Sequence, residues 1–187
     1  TGSALQGLFI TVLTGVPLFL LAAIVSGQIF LYQSISLNNY LILAFAGILH
    51  YVVGRYTIIR AVDAIGVTRA TPMMQASTIV AVAIAAVFLS ETVTPLMIFG
   101  IALVMVGPAI AVRNPSTKSS TIATGDSNNF RPRLMAGYIW GAVNSLVFGI
   151  TPILIRYALD DSGPGFGVLG GFVAYAAAGA FLLPGLA

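Results

Sequence analysis

The sequence predicts an all-α membrane protein, a polytopic bundle of transmembrane helices. Six apolar runs of about 20 residues each follow one another along the chain, and about 20 helical residues cross a bilayer core roughly 30 Å thick. Nearly all of the charge falls in the gaps between these runs. Runs such as IVAVAIAAVFL also lack the strict alternation, in strands of about ten residues, that a β-barrel requires.

Composition narrows the function classes in the same direction. The 187 residues are 58% hydrophobic and 7% charged, whereas a soluble domain carries roughly 25% charged residues to cover its surface. The net charge of +3 comes from basic residues scattered singly, so no phosphate-tracking face forms and nucleic acid is not an expected partner. There is no cysteine, which removes disulfides, thiol catalysis and cysteine metal sites. No HExxH, Walker A sequence, paired carboxylates or Ser/His/Asp arrangement occurs, so the reading is of a protein that is not an enzyme and takes no cofactor or metal. Gly165-Phe166-Gly167-Val168-Leu169-Gly170 fits G-x-G-x-x-G, but no strand precedes it to build a dinucleotide site. These glycines are read as the start of the last apolar run.

The spans are placed at 7–30, 40–62, 70–90, 94–112, 135–157 and 166–187. The first lacks the basic flank and short apolar core of a secretory signal. The start at Thr1 rather than Met, and the finish at Ala187 inside or just after an apolar run, read as a fragment truncated at both ends. Short connections imply antiparallel neighbours, because lone helices in lipid must satisfy every backbone group within the segment. Residues 114–132 (NPSTKSSTIATGDSNNFRP) are the exception: rich in Ser, Thr, Asn and Pro without apolar periodicity, they read as a solvated linker. The predicted organisation is therefore 1–113 (four helices), a polar linker at 114–133, and 134–187 (two helices).

Charge suggests an orientation. Arg55, Arg60, Arg69, Arg113, Lys118, Arg131 and Arg133 fall on one side, and Arg156 alone on the other. The positive-inside rule places the side with seven of the eight in the cytoplasm, linker included.

The second span carries ionisable residues where they are expensive. At 100° per residue, His50, Thr57, Ala61, Gly54, Gly47, Tyr51 and Arg55 fall within about 160° of arc, on which Leu43 and Ile58 intrude, with Phe45, Val52, Val53 and Tyr56 among the residues opposite. The small and polar arc should face other helices or a water-filled cavity, and the apolar arc lipid. His50 and Arg55 then either meet a polar substrate, or serve structure: Arg55 by snorkelling to the interface, His50 by bonding a neighbouring helix. In the third span Thr71, Gln75 and Thr78 share a face, with Pro72 expected in the first turn, where a missing N–H costs little. Those polar groups line a cavity or join helices. In the fifth span Trp140, Asn144 and Thr151 share a face with Gly137 and Gly141, a small-xxx-small pair that allows close approach. Trp140 suits an aromatic wall or an interfacial anchor. Glu91 reads as an acid favoured near the start of a new helix at Thr94 and Pro95.

One resemblance joins these pieces. A helix ends in Arg60-Ala61-Val62-Asp63, a short loop leads to Ala70-Thr71-Pro72, and the next helix closes on Leu89-Ser90-Glu91 with a Thr within three residues. A further helix carries Gly100 and Gly107 seven apart, and Gly137, Trp140, Gly141 and Arg156 follow the linker. In order and spacing, over about 150 of the 187 residues, this resembles the EamA-type domain of the drug/metabolite transporter superfamily. The resemblance implies a fold of ten helices in two five-helix inverted repeats, of which this chain would supply about six, from helix two to about helix seven. It implies a secondary transporter in the cell membrane (plasma or inner), moving a small polar or amphipathic metabolite by alternating access. It also implies a cavity from the third, fourth and sixth helices, which match spans two, three and five. Family members are drawn with the linker outside, opposite to the charge count. His50, Tyr51, Arg55, Gln75, Trp140 and Asn144 are the expected cavity-lining residues, and the lipid bilayer and a small-molecule substrate the expected partners. Oligomeric state is not readable. A non-transporting membrane scaffold or assembly partner is the alternative, and a channel-like pore a third.

Overall fold

The computed structural model describes residues 4–88, 92–113, 132–160 and 165–183, and among these the elements are helices without a strand. In chain order they are α1 (Ala4–Val25), a 3-10 helix (Gln28–Ser34), α2 (Leu37–Gly47), a π-helical segment (Ile48–Gly54), α3 (Arg55–Ile65), α4 (Val67–Phe88), α5 (Pro95–Arg113), α6 (Leu134–Asp160) and α7 (Gly167–Leu182). The α2–π–α3 stretch forms one span, Leu37–Ile65. Among the described residues four helices are long and apolar enough to cross a membrane: Gln6–Val25, Leu37–Ile65, Val67–Phe88 and Leu134–Asp160. Two further apolar segments, Pro95–Val104 and Gly167–Leu182, are shorter.

Local chemistry explains several of the boundaries and moves some of them. The first predicted span stops early at Val25, because Gly27 adopts φ 73°, a left-handed conformation that ends an α-helix at little cost. Ser36 caps α2, its side chain accepting from the Asn39 N–H at 3.2 Å. Gly66, at φ 81°, lets α3 stop and α4 begin at Val67. Pro72 is consequently inside α4 rather than in its first turn as expected. Thr94 caps α5, its hydroxyl accepting from the Met97 N–H, and Pro95 takes the first helical position. Glu91, the Leu89-Ser90-Glu91 motif and linker residues 114–131 lie outside the described residues.

The chain divides into two compact units, Thr1–Tyr56 with Val147–Ala187, and Thr57–Leu146. In the first, α7 packs on α1 and on α2. Small residues allow this: a Cβ on Gly47 would collide with the Ala174 backbone, so α2 and α7 touch almost backbone to backbone. Leu43, Val12, Ala46, Ala174 and Ala178 are buried there. Gln28 ties the 3-10 helix to the start of α7, its side-chain oxygen accepting from the Val168 and Leu169 N–H groups at 3.1 and 3.0 Å.

In the second unit Ala61, Ala64, Ile65 and Ala70 form a small core, with Met73, Ala136 and Trp140 packed against it. Gly137 and Gly141 are points of close approach, as their spacing predicts. A Cβ would overlap Ile65 at the first and Met73 at the second. The Ser145 hydroxyl donates to the Met73 carbonyl and also faces the Gly141 carbonyl.

Large apolar side chains lie exposed along the helices, Val25 at 87% and Phe88 at 79% among them. In water such a surface is a liability, whereas in lipid it is the expected exterior.

Candidate functional site

In the first unit the site begins with a backbone irregularity. From Ile48 to Gly54 the span is π-helical, so each turn takes in about one residue more than an α-turn. At the junction the Ile48 N–H is shared between the Ala44 and Phe45 carbonyls. The predicted wheel assumed an uninterrupted α-helix, and the π segment breaks that count at His50. The broad division nevertheless holds: Thr57, Ala61, Gly47 and Gly54 are buried, while Phe45, Val53 and Tyr56 are exposed. Arg55, assigned to the polar arc, is exposed.

The wide turn accompanies a pocket of about 310 Å³. Ala46, Gly47, His50 and Tyr51 form one wall. Thr151, Pro152, Ile155 and Arg156 of α6 form a second, and Ala174 of α7 closes it. Most of that lining is apolar. The Thr151 hydroxyl is engaged, donating to the Val147 carbonyl at 2.7 Å. His50 Nδ1 is buried with no hydrogen-bond partner among the described residues.

Rings brace the two polar aromatics. Tyr51 stacks on Tyr175 with centroids 3.8 Å apart, and Tyr175 stacks in turn on Phe19 at 4.9 Å. His50 meets Tyr51 edge-on at 4.8 Å and Phe148 edge-on at 4.4 Å. Offset-stacked and edge-to-face pairs are the favoured aromatic geometries, so the His50 and Tyr51 rings are held in fixed orientations.

The other expected site residues lie elsewhere. In the second unit Asn144, fully buried, donates to the Thr57 hydroxyl at 3.2 Å. Trp140 lies under the Arg60 guanidinium at 5.8 Å, and Gln75 is half-buried on α4. That unit also holds a more open apolar groove of about 560 Å³, lined by Pro72, Met73, Ala76, Val80 and Leu146 among others.

Two residues were missed from sequence. Arg156 had served to count charge across the membrane and as one piece of the family resemblance, not as an expected cavity residue, yet it lines the pocket. Tyr175 lies in a run so uniformly apolar that nothing marked it out, although its Tyr-for-aliphatic contrast with the neighbouring alanines was a usable signal.

Long apolar helices and an apolar exterior define a multi-pass α-helical membrane protein. Residues 1–113, more than half of the chain, match the EamA-like transporter family, and the chain belongs to that family. Comparison with the curated proteins and with the solved structures returned no match.

Proposed function

We propose that the protein is a secondary carrier of the drug/metabolite type, moving a small polar or amphipathic metabolite across the cell membrane by alternating access, with the His50–Tyr51 pocket on the solute's path. The observation that carries this is the pocket itself, built where a π-helical stretch interrupts a membrane span. Long π segments are rare and cluster at functional sites, and irregular backbone at membrane depth is tolerated where it lines a cavity. The family match supports the carrier class. In this reading residues 1–113 are most of a first EamA-like repeat, 114–133 a connecting linker, and 134–187 the opening of a second repeat of inverted orientation. The protein does no covalent chemistry on its solute.

The test is counterflow in proteoliposomes with the full-length protein and a panel of radiolabelled amino acids, monocarboxylates, amines and nucleobases. Saturable exchange of at least one solute is expected, falling in His50→Ala and unchanged in the lipid-facing Phe45→Ala. Linear flux would indicate a pore and no flux a scaffold, and either overturns the proposal. The same assay on Arg55→Ala, Gln75→Ala, Trp140→Leu and Asn144→Ala decides whether each of these lines the path.

A further inference from the structure

Two rings and two glycines lock α1 to α7, and the lock reaches the pocket wall. Gly15 and Phe19 lie about one turn apart on α1, and Gly171 and Tyr175 about one turn apart on α7. The two pairs are reciprocal. A Cβ on Gly15 would fall within the Tyr175 ring, and a Cβ on Gly171 would overlap the Phe19 ring. Each ring is thus seated on the other helix's glycine, in the order of an antiparallel crossing. Gly179, a turn beyond Tyr175, continues the seam against Val16 and Val12 at ordinary contact distances. Not every glycine of these helices does this: a Cβ on Gly7 or Gly167 would meet nothing within 4 Å.

The seat matters because of what Tyr175 touches next. Its ring stacks on Phe19 at 4.9 Å and on Tyr51 at 3.8 Å, and Tyr51 lines the pocket. The close approach of Gly47 to Ala174 brings the two tyrosines together, since Tyr51 follows the one by about a turn and Tyr175 follows the other directly. Tyr51 belongs to the π-helical segment, whose wider turn does not set side chains by the α-helical register. Its other ring neighbour, His50, sits in the same irregular segment and meets it edge-on. Tyr175 is therefore the ring contact that ties Tyr51 directly to a regular helix. Among the described residues neither Tyr175 nor any part of α1 lines the pocket, so their influence on it runs through Tyr51.

We propose that Tyr175 is the positioning residue of the pocket: seated on Gly15 and backed by Phe19, it fixes the Tyr51 ring as the aromatic wall that the solute meets. α1 thereby sets solute affinity without touching the solute. The effect on affinity rests on the carrier reading, and the effect on the Tyr51 ring does not.

The experiment is fluorine NMR of the full-length protein carrying 3-fluorotyrosine in detergent, with the Tyr51 resonance assigned by its loss in Tyr51→Phe. Stacking on Tyr175 should hold that resonance away from the position of free fluorotyrosine. Tyr175→Leu and Gly15→Ala should return it most of the way. Tyr175→Phe keeps the ring and should leave the resonance in place, as should Gly7→Ala. Melting curves on the same samples establish that the variants are folded, and Tyr175→Met replaces Tyr175→Leu if the latter does not fold. Counterflow of the radiolabelled panel of amino acids, monocarboxylates, amines and nucleobases then reads affinity. The KM of each exchanged solute should rise at least about fivefold in Tyr175→Leu with the maximal rate within about twofold, and Tyr175→Phe should restore it. Tyr51→Leu combined with Tyr175→Leu should be no worse than Tyr51→Leu alone, because one residue acts through the other. A Tyr51 resonance unmoved in folded Tyr175→Leu, an equal shift in Gly7→Ala, or additive KM effects of the two tyrosines overturns the proposal. The two readings fail differently. A Tyr51 resonance that depends on Tyr175, without counterflow of any solute, would sink the carrier and keep the positioning of the ring. His50-dependent counterflow with a Tyr51 resonance indifferent to Tyr175 would do the reverse.

Discussion

The Asn144 side-chain amide donates to the Thr57 hydroxyl across 3.2 Å, and the two residues are 0% and 2% exposed. Interhelical hydrogen bonds in membranes average about 0.6 kcal/mol and reach about 1.7. We expect Asn144→Ala to lower stability by about 1–3 kcal/mol, because it combines that loss with a cavity. Thr57→Val, close in shape, should cost less. A double-mutant cycle read by reversible unfolding checks this, and a coupling energy near zero would show that the contact carries no stability. If Asn144 serves only to join helices, the solute KM of its folded variants stays at the wild-type value.

Gly47 provides a sharper packing test. A Cβ there would run into the Ala174 backbone, which cannot swing aside as a side chain does. We expect Gly47→Ala to destabilise by about 1–3 kcal/mol through overpacking, with Gly47→Leu preventing assembly of α2 on α7. Gly100 on α5 is the matched control, since an added methyl would meet nothing within 4 Å. Gly100→Ala should be neutral or slightly stabilising, because alanine is the better helix former by up to about 1 kcal/mol. Thermal melts in one detergent compare the two directly, and equal shifts would refute the close crossing.

How far the sequence reading reached follows from what each feature depends on. The helices were legible because lipid imposes a length and a hydropathy, and the start at Thr94 follows from its residue types, whereas the boundaries at Ser36 and Gly66 fall about three residues outside the apolar runs that were placed at 40–62 and 70–90. The break at Gly27 was also announced, by the Ser26-Gly27 pair, but an apolar run on both sides concealed it. The π segment was not legible. It is a change in hydrogen-bond register, and Ile48–Gly54 has no composition that distinguishes it from an α-helix. The wheel ran straight through it and misassigned Arg55, which is exposed, while Gly54, Thr57 and Ala61 are buried as expected. Arg156 and Tyr175 depend on which helices meet, which no single run of residues contains.

Gln28 is inconspicuous by composition, yet it accepts from two amides at the start of α7. The first amides of a helix have no partner within it, so a side chain from another element can stand in for a cap. We expect Gln28→Ala to cost about 0.5–2 kcal/mol and to speed hydrogen exchange at Val168 and Leu169. Gln28→Glu keeps the acceptor and adds a charge favoured at a helix N-terminus, so its exchange rates should match the wild type. Unchanged exchange in Gln28→Ala would mean that the tether holds nothing.

Trp140 is the single tryptophan of the chain, so its fluorescence reports one place. It is half-buried under the Arg60 guanidinium, 5.8 Å from the ring centroid. A cation over an indole face is a favourable arrangement, and a charge so near the ring also shifts its emission. Arg60→Gln should therefore move the emission maximum while leaving the melting temperature nearly unchanged, and Arg60→Lys should restore most of it. The same signal asks what Trp140 does. A solute that contacts the ring should quench it in proportion to occupancy, and the quench should survive in Arg60→Gln. A solute confined to the His50–Tyr51 pocket should leave the emission unaltered at saturation, which would make Trp140 a packing partner of Arg60 and Ala61 rather than a wall for the solute.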